Sequence, residues 1–357
     1  MRLTRVICRN FRSLTSVDFT PGPGVNVIHG QNAQGKTTLL EAVLYAATTK
    51  SHRTAAETEL VRHGEDRFHV RIEAEHDGES LDIEANWWNG AKRFKVNGVA
   101  QGRLSDLLGR LKVVLFCPDD VALVKGSASV RRRLMDMELS QLQPVYLAAL
   151  QQYRQALRQR NELLRAAAPD GEMLDVWDVQ LVRHGQTLME ARAAFVAELS
   201  ELAEGVYRTI AGNESLSMAY LPDVRRAEDL AATLARARAA DLRQRMTGRG
   251  PHRDDLELLI DGQPARVFGS QGQQKSAVLA LKLAEVELVR RRAGVWPVLM
   301  LDEVLAELDP ERARRLFAAV PEGVQSLITT TQPEHPLRGG VPAPDMFRME
   351  GGRLERE

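Results

Sequence analysis

The sequence predicts an α/β fold: a mixed sheet plus an antiparallel meander, interrupted by an inserted helical lobe. Three observations predict it. An apolar strand runs through a glycine loop straight into an amphipathic helix near the start of the chain. A series of alternating segments follows, joined by Asp-Gly and Asn-Gly pairs. A long stretch of helical periodicity then separates these elements from further apolar strands near the C-terminal end.

Leu3–Cys8 and Val25–His29 read as short apolar strands. The second leads into the glycine loop and a helix with Leu39, Leu40, Val43, Leu44 and Ala47 on one face. Period-two alternation then runs through Phe68, Val70, Ile72 and Ala74, through Leu81, Ile83, Ala85 and Trp87, and through Phe94 and Val96. Asp77-Gly78, Asn89-Gly90 and Asn97-Gly98 are tight-hairpin pairs, because both residues tolerate positive φ. Lys112–Cys117 reads as a buried strand ended by Pro118. From Ser129 to about Gly212 the signal is helical. Tyr146, Leu150, Tyr153, Leu157, Arg160 and Leu164 form one heptad-like stripe. Trp177, Leu181, His184, Leu188, Ala191 and Phe195 form another, and the break between them predicts an antiparallel helical hairpin. Strands return at Leu216–Tyr220 and Leu256–Ile260, with a helix between them over roughly 227–246. Ser276–Ala284 is helical, Val298–Leu301 and Ser326–Thr330 are strands, and a helix lies near Glu311–Ala319. Residues 1–126 and 215–357 are therefore expected to form one lobe, with 127–214 as the helical arm.

The 357 residues are 44% hydrophobic and 27% charged, which excludes a disordered, collagenous or disulfide-scaffold chain. Forty-eight basic and 48 acidic residues cancel, so binding to a polyanion has to come from local patches and not from a global field. Cys8 and Cys117 sit in apolar strand contexts and suit buried thiols, not a zinc site or a disulfide. No run approaches the ~20 apolar residues of a membrane span and no signal-peptide core opens the chain, so a cytoplasmic protein is expected.

Gly30-Gln31-Asn32-Ala33-Gln34-Gly35-Lys36-Thr37 matches a phosphate-binding loop, with Thr38 following. Its glycines let backbone N–H groups wrap a phosphate at a helix N-terminus. Lys36 would neutralise the terminal phosphates of ATP, and the Thr37 hydroxyl would hold Mg²⁺. Val298–Leu301 buries a strand whose end presents Asp302, placed to hold Mg²⁺ opposite Thr37, and Glu303, placed to orient the attacking water. With these two elements, Ser270-Gln271-Gly272-Gln273-Gln274 at a helix start resembles the signature of the ABC-type ATPases. That resemblance implies that Ser270, Gly272 and Gln273 close over ATP held by a second subunit. It also implies that Asp309, in Leu305–Asp309, makes a cross-subunit contact. Asn10-Phe11-Arg12-Ser13 is similar to an element of the chromosome-maintenance and Rad50-like branch, which places Arg12 near phosphate.

Within this superfamily the chain resembles the bacterial RecF family, through NFRSL, GQNAQGKTTLLEA, LVKGSASVRRRLMD, GPHRDDL and FGSQGQQKS. The resemblance implies an ATP-dependent homodimer that clamps duplex DNA and single-/double-strand junctions. It implies RecR and RecO as partners, with RecA loaded at gaps during recombinational repair, replication and the SOS response. Three departures stand out. Ala33 occupies a position often held by Gly, Gln332 stands where a switch His would follow SLITTT (His335 comes later), and no Q-loop Gln is evident near Phe116–Asp120. Hydrolysis is therefore expected to be slow and DNA-dependent, a timer in function. Arg131, Arg132, Arg133, Arg154, Arg158, Arg165, Arg225 and Arg226 are the candidate DNA contacts. Alternative readings are the ATPase subunit of an ABC transporter, a nuclease-linked relative, and an architectural chromosome-maintenance protein. Against these stand the missing Q-loop, the short segment after Asp309 and the lack of a long coil.

Overall fold

A computed structural model describes residues 1–304, 310–331 and 344–357. The chain divides into two units, residues 1–120 with 279–357, and residues 121–278.

In the first unit, β1 (Arg2–Phe11), β2 (Leu14–Phe19), β4 (Arg67–His76), β5 (Glu79–Trp88), β6 (Ala91–Val96) and β7 (Val99–Ala100) form an antiparallel sheet in the order β2-β1-β4-β5-β6-β7. The meander is as expected, with β2 as an additional edge strand. Asp77-Gly78, Asn89-Gly90 and Asn97-Gly98 all adopt positive φ at both positions, the geometry whose twist matches the flanking strands. The second sheet has the order β15-β14-β3-β13-β12-β8, from β3 (Val25–His29), β8 (Val113–Phe116), β12 (Val298–Asp302), β13 (Ser326–Thr330), β14 (Asp345–Glu350) and β15 (Arg353–Arg356). Every pairing in it is parallel except β14 with β15. β12 and β13 are buried along their whole length, which explains their unbroken apolar runs.

Helix α1 (Lys36–Thr48) packs against β1, β4 and β5 of one sheet and against β8, β12 and β13 of the other. All its residues but Thr37 are buried, so the sheets fix the helix start from both sides. Around Tyr45, the rings of Phe11, Phe68 and Phe94 lie 5.5–6.2 Å from its centroid. The free thiols of Cys8 and Cys117 are buried and pushed up to about 12 by desolvation, as core residues. Among the described residues no helix is long and apolar enough to cross a membrane.

The second unit contains α2 (Ala122–Lys125), α3 (Ala128–Leu142), α4 (Pro144–Arg165), α5 (Gly171–Ala211), α6 (Leu230–Gln244), α7 (Ala265–Phe268) and the start of α8 (Gln271–Ala293). Helix α9 (Pro310–Ala319) belongs to the first unit. α4 and α5 form the expected antiparallel hairpin, and Asp170 caps α5 by accepting from Met173 N. The boundaries differ from the expected 127 and 214. β9 (Leu216–Leu221), β10 (Asp255–Ile260) and β11 (Gln263–Pro264) make a three-stranded sheet of their own. It packs on α3 and α5; the sequence did not predict this sheet, because alternation reveals a strand but not its partner.

Gly250–Leu256 is the polar centre of this unit. Arg192, 2% exposed, donates to Pro251 O at 2.7 Å, Asp254 Oδ2 at 2.8 Å and Asp136 Oδ1 at 2.8 Å. Tyr220 also donates to Asp254, and Tyr153 Oη lies 2.7 Å from His252 Nδ1. A second buried cation, Arg160, sits within the apolar stripe of α4 and bonds Asp178, Asp241 and Thr247. The stripe thus carries a charge whose partners come from α5, α6 and the loop after α6.

Candidate nucleotide site

Residues 30–35 form a loop between β3 and α1, at the ends of the parallel strands, and Lys36 and Thr37 open the helix. Gly30 has φ 152°, and a Cβ there would stand 2.3 Å from Met349 O, so β14 requires glycine at this point. Gly35 caps α1 at φ 112°. The loop is held from an unexpected side. Gly351 N donates to Gln34 Oε1 at 2.6 Å and Gly352 N to Gln34 O at 3.2 Å, so the β14–β15 turn grips the loop. Ser13, in the β1–β2 turn, lies 3.4 Å from the Thr38 hydroxyl.

Lys36 is 4% exposed, and its ammonium donates to Gly30 O at 2.8 Å and Gln31 O at 2.9 Å. The same ammonium lies 2.9 Å from Glu303 Oε1. Thr37 Oγ1 donates to Asp302 Oδ1 at 2.8 Å, and Thr329 Oγ1 donates to the same oxygen at 2.7 Å. Glu303 N donates to Thr329 Oγ1 at 2.9 Å, with Glu303 at φ 52°. Sequence reasoning missed Thr329, which bridges the two acids. It is the first of three consecutive threonines at the end of β13, and only the fold singles out which hydroxyl faces Asp302.

The phosphate-loop residues, Thr37, Asp302 and Glu303 therefore converge as expected. The donor set fits a divalent cation. Asp302 is 4% exposed, receives two neutral hydroxyls and has no ion-pair partner among the described residues, while hard oxygen donors are what Mg²⁺ takes. Ala33, at a position often held by Gly, has φ 63°, in the left-handed region where a Cβ is strained.

Arg12 is a correction. Its Nη2 donates to Glu41 Oε1 at 2.8 Å, and Nε lies 2.6 Å from Glu41 Oε2, so its charge is spent on α1 and not presented to the loop. Glu41, wholly buried, also accepts from Ser51 Oγ at 2.5 Å and Arg53 Nη1 at 3.4 Å. The segment after α1 thereby folds back along the helix. His52 sits between these two donors. Its Nδ1 is buried with no hydrogen-bond partner, and burial pushes its pKa below the ordinary value against the fields of Glu41 and Asp302.

In the second unit, Ser270 Oγ accepts from Gln273 N at 3.2 Å while Gln273 Oε1 accepts from Ser270 N at 2.8 Å. This reciprocal box starts α8, with Gly272 in its first turn, where backbone N–H groups lack helical acceptors. Asp309, Gln332 and His335 lie outside the described residues.

The arginine clusters separate sharply. Arg131 is 4% exposed, bonded to Asp255 at 2.7 and 2.9 Å and to the Leu123 and Gly126 carbonyls. It is a structural residue, not a surface contact, because Asp255 draws it inward. Arg132 is partly buried, donating to Asp254 O at 2.6 Å. Arg133, Arg154, Arg158, Arg165, Arg225 and Arg226 are exposed, although Arg154 pairs with Asp136 at 2.8 Å and Arg226 with Glu228.

Comparison with known proteins agrees with this geometry. An AAA domain model matches residues 5–100. The chain is 42% identical over 361 residues to the DNA replication and repair protein RecF of Symbiobacterium thermophilum, covering 97% of this chain and 95% of the relative. It is 36% identical to RecF of Lachnospira eligens over the full length of both. A solved structure of the recombination mediator protein RecF with ATP, in the RecFOR pathway, superposes with a TM-score of 0.91 at 32% identity, over 99% of this chain and 97% of that one. The Smc head bound to the C-terminal winged-helix domain of ScpA superposes at 0.60 with 15% identity, a likeness of fold. With two curated relatives above 35% identity over nearly all its length, the chain belongs to the RecF family of DNA replication and repair proteins.

Proposed function

We propose that this chain is an ATP-driven DNA clamp for recombinational gap repair. Two copies close on ATP, grip duplex DNA beside a single-/double-strand junction, and part after slow, DNA-dependent hydrolysis. The observation that carries the reading is the convergence of Lys36, Thr37, Asp302 and Glu303 at one loop. The solved RecF structures of the RecFOR pathway support RecO and RecR as partners; RecA loading is the step we infer they serve.

Lys36 exchanges its loop carbonyls for the β- and γ-phosphates, which releases Glu303 to hold the attacking water and accept its proton. Mg²⁺, held by Thr37 and Asp302, would neutralise charge on the phosphates. Thr329 keeps both acids oriented. Ser270 and the N–H groups at the start of α8 supply the second half of the phosphate cage from the partner subunit, and Gln31, Asn32, Gln34 and Thr38 complete the first. A ligand bound only by the closed dimer stabilises it by about 2.7 kcal/mol at a hundredfold excess over its Kd.

Sizing the protein by light scattering with and without ATP tests the scheme. ATP is expected to convert monomer to dimer in the parent chain, and Ser270→Arg to keep ATP binding while staying monomeric. A Ser270→Arg chain that still dimerises with ATP would overturn the cross-subunit cage.

A further inference from the structure

Beyond the nucleotide site, the exposed face of the antiparallel sheet carries an open groove of about 590 Å³. The strand register explains what lines it. Arg9 pairs with His69, His69 with Asn86, and Asn86 with Arg93, so four strands place these side chains in one row. At about 4.8 Å per strand the two arginines stand roughly 14 Å apart. His69 Nδ1 lies 2.8 Å from Asn86 Oδ1, giving a flat hydrogen-bonding floor between them. One step along the strands on either side, the register pairs Arg67 with Trp88 and Glu84 with Lys95. Trp88 is 53% exposed, and its Nε1 donates to Asp66 Oδ2 at 3.1 Å, so the indole is pinned with its ring available.

Four cations therefore line the groove against one carboxylate, Glu84, which is 3.6 Å from Lys95; Asp66, 3.3 Å from Arg67, stands just outside. In a chain of zero net charge this is a local positive field. Cations at both ends, an available aromatic face and amide and imidazole groups between them match a chain that repeats phosphates and flat bases. We propose that this groove binds single-stranded DNA by stacking a base on Trp88 while Arg9, Arg67, Arg93 and Lys95 hold the flanking phosphates. The site is separate from the phosphate loop, and it rests on the repair reading only in the choice of DNA.

The test is fluorescence anisotropy of a labelled oligothymidylate of about fifteen nucleotides with the full chain, without ATP, over a salt series. Arg93→Glu is expected to weaken binding by tenfold or more and to lower the salt slope by roughly one. Trp88→Ala is expected to weaken it about tenfold with the slope kept, and Trp88→Phe to restore most of the affinity. Both side chains are exposed, and fluorescent-ATP binding by each variant verifies the fold and the nucleotide site separately. Unchanged oligonucleotide affinity in both Arg93→Glu and Trp88→Ala, with ATP binding intact, overturns the groove and leaves the clamp standing. Binding of polyglutamate in place of the oligonucleotide, quenching Trp88, would overturn it in favour of an acidic protein segment.

Discussion

The ion pair between Lys36 and Glu303 gives the site an order of events. While the base is tied to the lysine it is poorly placed to hold a water, and phosphate has to compete for the ammonium. Glu303→Gln removes that competition as well as the base. It is expected to bind ATP a few-fold more tightly and to hydrolyse it at least about a hundredfold more slowly, leaving an ATP-bound dimer. Nucleotide titration beside single-turnover hydrolysis checks both halves, and weaker binding would contradict the pairing. Lys36→Ala should abolish ATP binding in the same titration. Ala33 provides a stability test. Its left-handed backbone costs about 1 kcal/mol with a Cβ present, so Ala33→Gly should raise the urea midpoint modestly and Ala33→Val lower it.

At the scale of elements, buried charge networks organise the second unit where apolar packing would ordinarily do so. Removing Arg192 leaves the buried Asp254 without its ion-pair partner and Asp136 with Arg154 alone. Arg192→Leu should therefore cost about 3–5 kcal/mol in equilibrium unfolding of this unit. His252 makes the same unit sensitive to acid. Burial pushes its pKa from 6.5 down to about 4, against the hydrogen bond with Thr247 O, which favours the charged form. The unfolded chain takes up a proton near pH 6.5 and the folded one only near pH 4, so stability falls as pH drops through that window, by about 3 kcal/mol in all. His252→Gln should flatten the dependence, measured by urea unfolding at pH 4 to 7. The same elements mark how far the sequence could be read. The phosphate loop, the meander and the α4–α5 hairpin were legible because each is signalled within one or two turns of chain. Arg160 and Arg192 were not, because their partners lie 18 to 87 and 46 to 62 residues away. Nor was the three-stranded sheet, since alternation in Leu216–Tyr220 shows a face and not a neighbour.

For the whole molecule, the division of labour follows from where the two phosphate-binding helix starts are built. The loop before α1 belongs to the first unit, and the box that opens α8 belongs to the second. On the proposed scheme ATP affinity and dimerisation are separable by mutation: changes at Lys36 are expected to abolish both, changes at Ser270 only the latter. Hydrolysis per chain should rise with protein concentration in the range where dimers form, and a rate independent of concentration would argue for a self-sufficient monomer. The exposed arginines, Arg133, Arg154, Arg158, Arg165, Arg225 and Arg226, are the ones to reverse in charge for duplex affinity; Arg131 would report on stability instead.

The grip of Gly351 and Gly352 on Gln34 carries a consequence for biosynthesis. The donor and acceptor are separated by 317 positions, so during translation the glycine loop leaves the ribosome long before the turn that steadies it. A nascent chain can fold its meander early yet has no finished grip on nucleotide until its final hairpin emerges. On the proposed scheme, half-made copies are therefore expected not to pair on ATP before the turn has formed.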